Sequence, residues 1–580
     1  MNFVTLMLIC VALLIVAYFT YGKYLERRLK IDGQRTTPAH TFYDGQEYIP
    51  TKTPVLLGHH FTTIAGGGPI TGPIAAIVFG WLPAVLWIII GSIFVGGTHD
   101  YASLQASIRH KAKSIGEVIK EHMGKRGQLM FLAFSIATLI LIIGVFIILV
   151  ANTFVSFPGA ATASLLFIAV AMGFGVLVNQ VRIHLALATL LGVVAMALSV
   201  WIGLSFPITL SATAWSLILI VYAYFASVLP VWFLLQPRDY LNSFLLYFLI
   251  GGAFLGLLIA RPTIQMPAFT GFYNDTLGFL FPILFITIAC GAISGFHSLV
   301  SSGTTSKQLN NEKNGRFVAY GSMLIEAFVA IIAIGSVAYL TLDQFNALMA
   351  ELNDPISVFS VGIGHFMNTW GLPVAAGVTF TALAASAFLM TTLDSATRLM
   401  RYAVTELGES INVQLLRNKH TATVLGLIGA TTLALSGTWQ SVWPLFGAAN
   451  QMLGALALLA ITLWLVKTKS KALFVIIPMV FMFIVTTSAL LVMMHSNFLA
   501  GDYLLVGASF ILFVMCVFLG IEGARSVTKP KNKQKPTDLN QKVKWSSSQV
   551  FAGLPSLPPP SPLMQPLFLV LAVFSSRSQD

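Results

Sequence analysis

The feature that most constrains this chain is the recurrence of apolar runs of about 17 to 25 residues, each long enough to cross the hydrocarbon core of a bilayer as a helix. They follow one another from residue 3 to residue 521, separated by short polar connections. Only 9% of the residues are charged and 56% are hydrophobic, whereas an ordinary soluble domain carries roughly 25% charged residues. Lipid must therefore be the solvent for most of the chain. The expected fold class is an all-α polytopic membrane protein with about fifteen transmembrane helices. The first run, Phe3 to Tyr21, has no small-residue cleavage site and reads as a retained helix rather than a signal peptide. Others of interest are span 2 (58–80), span 3 (84–108), span 7 (213–235), span 8 (242–260), span 9 (278–302), span 10 (317–341) and span 11 (372–393).

The formal charge of +12 does not point to nucleic acid, because no basic module with interleaved aromatics is present. With fifteen spans, the basic clusters Lys23 to Lys30, Lys111 to Arg126, Lys307 to Arg316, Arg398 to Arg417 and Lys467 to Lys471 all fall on one face. The positive-inside rule makes that face cytoplasmic, with the N-terminus outside and the C-terminus inside. The three cysteines, Cys10, Cys290 and Cys516, lie within apolar runs without metal or redox spacing and read as buried thiols. From Ser526 the composition turns to Lys, Gln, Pro and Ser, a flexible cytoplasmic tail over 526–580.

Helix breaks mark the candidate site. Span 2 contains Thr62-Thr63-Ile64-Ala65-Gly66-Gly67-Gly68-Pro69 and a further Gly72-Pro73, a density of glycine and proline that defeats a continuous helix. Irregular backbone at membrane depth is tolerated only where it is buried or lines a cavity. Thr62, Thr63, Gly66, Gly67 and Gly68 are therefore candidates to hold a substrate carboxylate on freed N–H groups; close helix packing through small residues is the alternative. Pro230 is expected to break span 7, placing Tyr222, Tyr224 and Trp232 beside the substrate. Spans 2 and 7 run in opposite directions, as the first helices of two inverted repeats require.

In span 9, Ser294, Ser298 and Ser301 share one helix face, offering either cation ligands or interhelical hydrogen bonds. Glu326 in span 10 and Asp100 in span 3 are ionisable groups inside lipid and are the candidate proton carriers. His59, His60, His99 and His297 show no metal-ligand pattern. They are expected to be interfacial or substrate-facing imidazoles, His297 in the substrate site, with no metal and no cofactor.

Asp44-Gly45-Gln46-Glu47-Tyr48-Ile49-Pro50-Thr51, the Gly58 to Pro73 segment, Leu229-Pro230-Val231-Trp232 with Pro237-Arg238-Asp239-Tyr240, Ser294 to Gln308, and Thr391-Thr392-Leu393-Asp394 with Thr397-Arg398 together resemble the carbon starvation protein A family over roughly residues 1–520. The resemblance implies an inner-membrane secondary transporter of small nutrients, importing short peptides or, in other members, pyruvate with protons. It also implies a LeuT-like core of two inverted five-helix repeats. On that reading 1–57 holds an added span and loop, 58–205 and 213–420 are the repeats, and 421–525 is peripheral. Protons, or else sodium through Ser294 and Ser298, would supply the coupling ion. No P-loop is present, and no nucleophile with an adjacent base suggests an enzyme. A membrane-embedded nutrient sensor is the rival of another class.

Overall fold

The structure, a computed structural model, describes residues 2–45, 47–229, 233–436 and 439–528. Among these the chain is helical apart from turns, loops and one short antiparallel hairpin that pairs Tyr273–Asn274 with Gly278–Phe279. In chain order the principal helices are α1 (Phe3–Phe19), α2 (Thr53–Ala65), α3 (Gly68–Ala76), α4 (Trp81–Ile90), α5 (Gly97–Arg109), α6 (Ile115–Ser156), α7 (Pro158–Asn179), α8 (Leu185–Ser205), α9 (Ala212–Val228) and α10 (Leu235–Ala260). They continue with α11 (Leu280–Thr287), α12 (Gly295–Gly303), α13 (Gly321–Gly335), α14 (Leu342–Leu352), α15 (Pro355–Asn368), α16 (Val374–Ile411), α17 (Lys419–Ser436), α18 (Trp439–Lys467), α19 (Leu473–Leu499) and α20 (Tyr503–Thr528). The long α6 packs along α16 and α18, α7 and α8 form a hairpin, and α19 and α20 lie against α18.

This is a multi-pass helical membrane protein. Among the described residues, 11 helices are long and apolar enough to cross a membrane, or up to 12 with the bent pair of α2 and the α3 segment counted as one span. The expected count of about fifteen also takes in shorter and interrupted runs, which this test of length and composition leaves out. Span 7 shortens to the 17-residue α9, and span 9 is not one helix but the separate, short α11 and α12.

The break in span 2 falls where glycine density places it. α2 ends at Ala65, Gly66 takes φ 45° and ψ −148°, and Gly68 already opens α3, the two halves meeting at 40°. That conformation is close to one open only to glycine. The interruption of span 9, between Thr287 and Gly295, has another origin. Its freed carbonyls are taken up by side chains of distant helices: Trp443 Nε1 donates to Thr287 O (3.2 Å), Trp87 Nε1 to Ile288 O (3.3 Å) and Gln451 Nε2 to Phe285 O (2.6 Å). Asn450 Oδ1 accepts from Phe296 N at 2.9 Å, capping α12. Buried backbone groups need partners, and here tertiary contacts supply them, so the expected continuous helix gives way.

Span 7 stops short of its expected end at 235. α9 simply ends at Val228, Leu229 is extended, and α10 begins at Leu235. Pro230 and Trp232 lie outside the described residues, so the expected aromatic contact of Trp232 does too.

Candidate functional site

Two buried charge clusters flank α2 and meet it at consecutive residues, His59 and His60. Neighbouring residues on a helix point to different sides, so the two imidazoles serve different clusters.

On the first side, His60, Asp100, His297 and Glu326 come together from α2, α5, α12 and α13, all with 0% side-chain exposure. His60 Nε2 lies 3.0 Å from Asp100 Oδ2, and its Nδ1 lies 2.8 Å from Thr305 Oγ1. Ser301 donates its hydroxyl to Asp100 Oδ1. His297 Nε2 is 3.5 Å from Glu326 Oε2, yet both Glu326 oxygens lack a hydrogen bond. The fully buried Glu326 carboxyl is thus left without a hydrogen-bond donor, with the His297 ring as its nearest polar neighbour.

On the second side, Arg238 of α10 is 1% exposed and forms an ion pair with Asp394 of α16. Tyr222 donates to Asp394 Oδ2 at 2.7 Å and accepts from Arg238. Breaking a buried pair of this kind costs about 3–5 kcal/mol, which makes it a fixed joint between α9, α10 and α16. Beside it, His59 Nδ1 approaches Asp239 Oδ2 to 3.4 Å.

His59 and Asp239 line a cavity of about 510 Å³ that also reaches Lys307, Arg398, Tyr247 and Tyr402. Arg398 is 7% exposed. Its Nη2 donates to Ala226 O (2.8 Å) and Leu229 O (3.0 Å) at the end of α9, its Nε has no hydrogen bond, and among the described residues no carboxylate pairs with it. Asp239 is 4% exposed, and neither of its oxygens accepts a hydrogen bond. The cavity lining thus carries a buried cation short of an anion and a buried anion short of donors.

The other expected site residues are disposed differently. Thr62 and Thr63 bond back to carbonyls of their own helix, at Gly58 (2.9 Å) and His59 (2.7 Å). Gly66, Gly67 and Gly68 face the side chains of Thr392, Leu389 and Cys290, and the cavity opens about two turns away, at Gly58 and His59. Tyr222 belongs to the Arg238 joint, and Tyr224 Oη pairs with His420 Nδ1 at 2.9 Å. Ser294 is engaged with Asn450, and Ser298 donates to Gly295 O at 2.7 Å. Of the expected residues, Asp100, His297 and Glu326 converge, joined by His60 and Ser301.

Arg238, Asp239, Asp394 and Arg398 enter the sequence reading only within the family motifs, and His60 only as an interfacial or substrate-facing imidazole. Arg238 and Asp239 fall in the gap between the apolar runs 213–235 and 242–260, and Asp394 and Arg398 just past the run ending at 393. α10 and α16 extend through those positions, which the apolar runs alone understate.

The family model of the carbon starvation protein CstA matches residues 2–355 and 346–489. The chain is 34% identical to the peptide transporter CstA of Campylobacter jejuni, over 83% of this chain and 79% of that one. It is 32% identical to the pyruvate/proton symporter BtsT of Escherichia coli, covering 83% and 80%, and 32% identical to the peptide transporter CstA of Bacillus subtilis, covering 90% and 96%. A matching family model over most of the length, together with relatives at this identity across about four fifths or more of their own chains, means that the chain belongs to the carbon starvation protein CstA family.

Proposed function

We propose that the chain is a secondary transporter that imports short peptides by alternating access, coupled to protons, rather than an enzyme. The carrying observation is that two complementary buried poles line one cavity: Arg398 for a carboxylate and Asp239 for an ammonium. A peptide presents both groups, whereas pyruvate presents only the carboxylate and uses Arg398 alone. Pyruvate is the second reading, favoured by the BtsT relative's name.

Proton coupling rests on the His60, Asp100, His297 and Glu326 cluster. Thr304 lines the cavity and Thr305 bonds His60, which offers a protonation route from the cavity rim to Asp100 and on towards Glu326. At the alternative sodium site, the Ser294 hydroxyl exchanges hydrogen bonds with the Asn450 amide and Ser298 donates to Gly295 O.

The LeuT-like arrangement is retained with a changed division. In place of repeats at 58–205 and 213–420, the proposed repeats start at the two broken segments, α2 with α3 and α11 with α12. Each is followed by a helix carrying a π-helical turn, Gly91–Gly96 or Arg316–Tyr320, and then by one short helical segment before the long α6 or two, α14 and α15, before the long α16. The two breaks are an odd number of spans apart, as inversion requires. The α7 and α8 hairpin is then an insertion, and α1, α19 and α20 are peripheral. The orientation proposed from charge, in the cytoplasmic membrane with N-terminus outside, sets the cavity mouth with Lys307 on the cytoplasmic side.

Calorimetric binding of dialanine, N-acetyl-dialanine and pyruvate to the purified protein tests the substrate reading. Acetylation is expected to weaken binding at least about tenfold, a loss of about 1.4 kcal/mol, and Asp239→Asn to erase that difference while leaving pyruvate unaffected. Equal affinity for the free and acetylated peptides would shift the reading to a simple carboxylate.

A further inference from the structure

Away from the cavity and both buried clusters, His110, Glu121 and His122 bring three potential ligand atoms within 4.8 Å of one another. His110 caps the end of α5 with a side chain 9% exposed. Its Nδ1 lies 2.6 Å from Ala106 O. A carbonyl can only accept, so Nδ1 carries the proton, and in the neutral ring Nε2 is left as a lone pair. That lone pair faces the Glu121 carboxylate at 3.7 Å, one acceptor against another. His122 Nε2 is buried without a hydrogen-bond partner, and the two imidazole rings meet edge to face with centroids 5.6 Å apart. Three groups that can each turn a lone pair toward the same point thus converge, an arrangement that a cation can bridge.

We propose that His110, Glu121 and His122 form a binding site for a divalent transition-metal ion. Two imidazole nitrogens and one carboxylate oxygen are the donor set of an open, three-ligand site of the kind zinc occupies, with ligand bonds of about 2.0–2.2 Å and water in the fourth position. The hydrogen bond from Nδ1 to Ala106 O is the outer contact that orients such a ligand and fixes its tautomer. Glu121 is 64% exposed, which leaves its carboxylate free to swing in and close the site. The surrounding groups are Trp464, whose ring centroid is 6.1 Å from that of His110, and Lys467, whose ammonium donates to His122 O at 2.8 Å.

The placement gives the ion a task. α6 is interrupted at Gly124, where φ is 82°, so the turns carrying Glu121 and His122 form a separate short helix hinged to the long one. A bound ion staples that short helix to the end of α5, at the end of the bundle where Tyr48 Oη donates to Lys111 O and Glu47 borders the cavity.

The full-length protein, purified with a tag free of histidine, is titrated with Zn²⁺ against a chromophoric chelator and followed by thermal denaturation with and without Zn²⁺. One ion per chain and a higher melting midpoint with Zn²⁺ are expected. Glu121→Gln, which alters an exposed side chain, and His122→Gln should each weaken binding at least about tenfold, the loss that even outer-contact substitutions cause at metal sites, and should remove the thermal shift. No Zn²⁺ bound by the wild type, or binding and thermal shift unchanged in both variants, overturns the proposal.

Discussion

Glu326→Gln is expected to abolish uphill accumulation of substrate in proteoliposomes while counterflow exchange of substrate across the same membranes persists. Glutamine keeps the size of the side chain and is always neutral, so the variant resembles the protonated carrier permanently. Substrate can still bind and the loaded form can still reorient, but no proton is released to make the cycle directional. The case for Glu326 over Asp100 is geometric. Asp100 accepts from Ser301 and lies 3.0 Å from His60, so its charge is supported, whereas Glu326 has only His297 at 3.5 Å and no hydrogen bond on either oxygen. Leaving a carboxylate ionised there is costly, and protonation removes that cost. Accumulation by the variant at the wild-type level would remove Glu326 from the coupling step.

The second large effect is expected at the break in span 2, and the two glycines there should fail for different reasons. A Cβ on Gly67 meets the Leu389 side chain, but its φ of −92° suits any residue. Gly67→Ala is therefore expected to suppress uptake, and Leu389→Ala in the same chain to restore much of it. A Cβ on Gly66 meets Thr392, and its φ of 45° with ψ of −148° disfavours any side chain as well. Gly66→Ala carries a backbone cost of about 1–3 kcal/mol that relief at Thr392 cannot remove, so Gly66→Ala with Thr392→Ala should stay inactive. Uptake and thermal denaturation of the four variants check this. Rescue of both glycines alike would mean that crowding alone governs the break.

The contrast between the two helix breaks explains how much was legible in the sequence. The first is written locally, in three successive glycines and two nearby prolines, and the chain breaks there. The second runs through Ile288-Ala289-Cys290-Gly291-Ala292-Ile293, which carries one glycine and no proline. Only Trp87, Trp443, Asn450 and Gln451, distant in sequence, make the open backbone affordable, so no local reading reaches it. The site divides the same way. Asp100, His297 and Glu326 stand out as polar groups within apolar runs and converge in space. Arg238, Asp239, Asp394 and Arg398 sit at the ends of such runs, where a charge is ordinarily a solvated flank. Their burial becomes visible only when α9, α10 and α16 are packed together.

In the proposed cycle a proton gradient drives a short peptide through this chain. The most direct measurement is uptake of labelled dialanine by the purified protein in proteoliposomes, with an inward proton gradient and no sodium present. Accumulation above the equilibrium level, collapsed by a protonophore and indifferent to added sodium, is the expected result. Accumulation that appears only with an inward sodium gradient, or dialanine flux no greater than in protein-free vesicles while pyruvate is taken up, would contradict it.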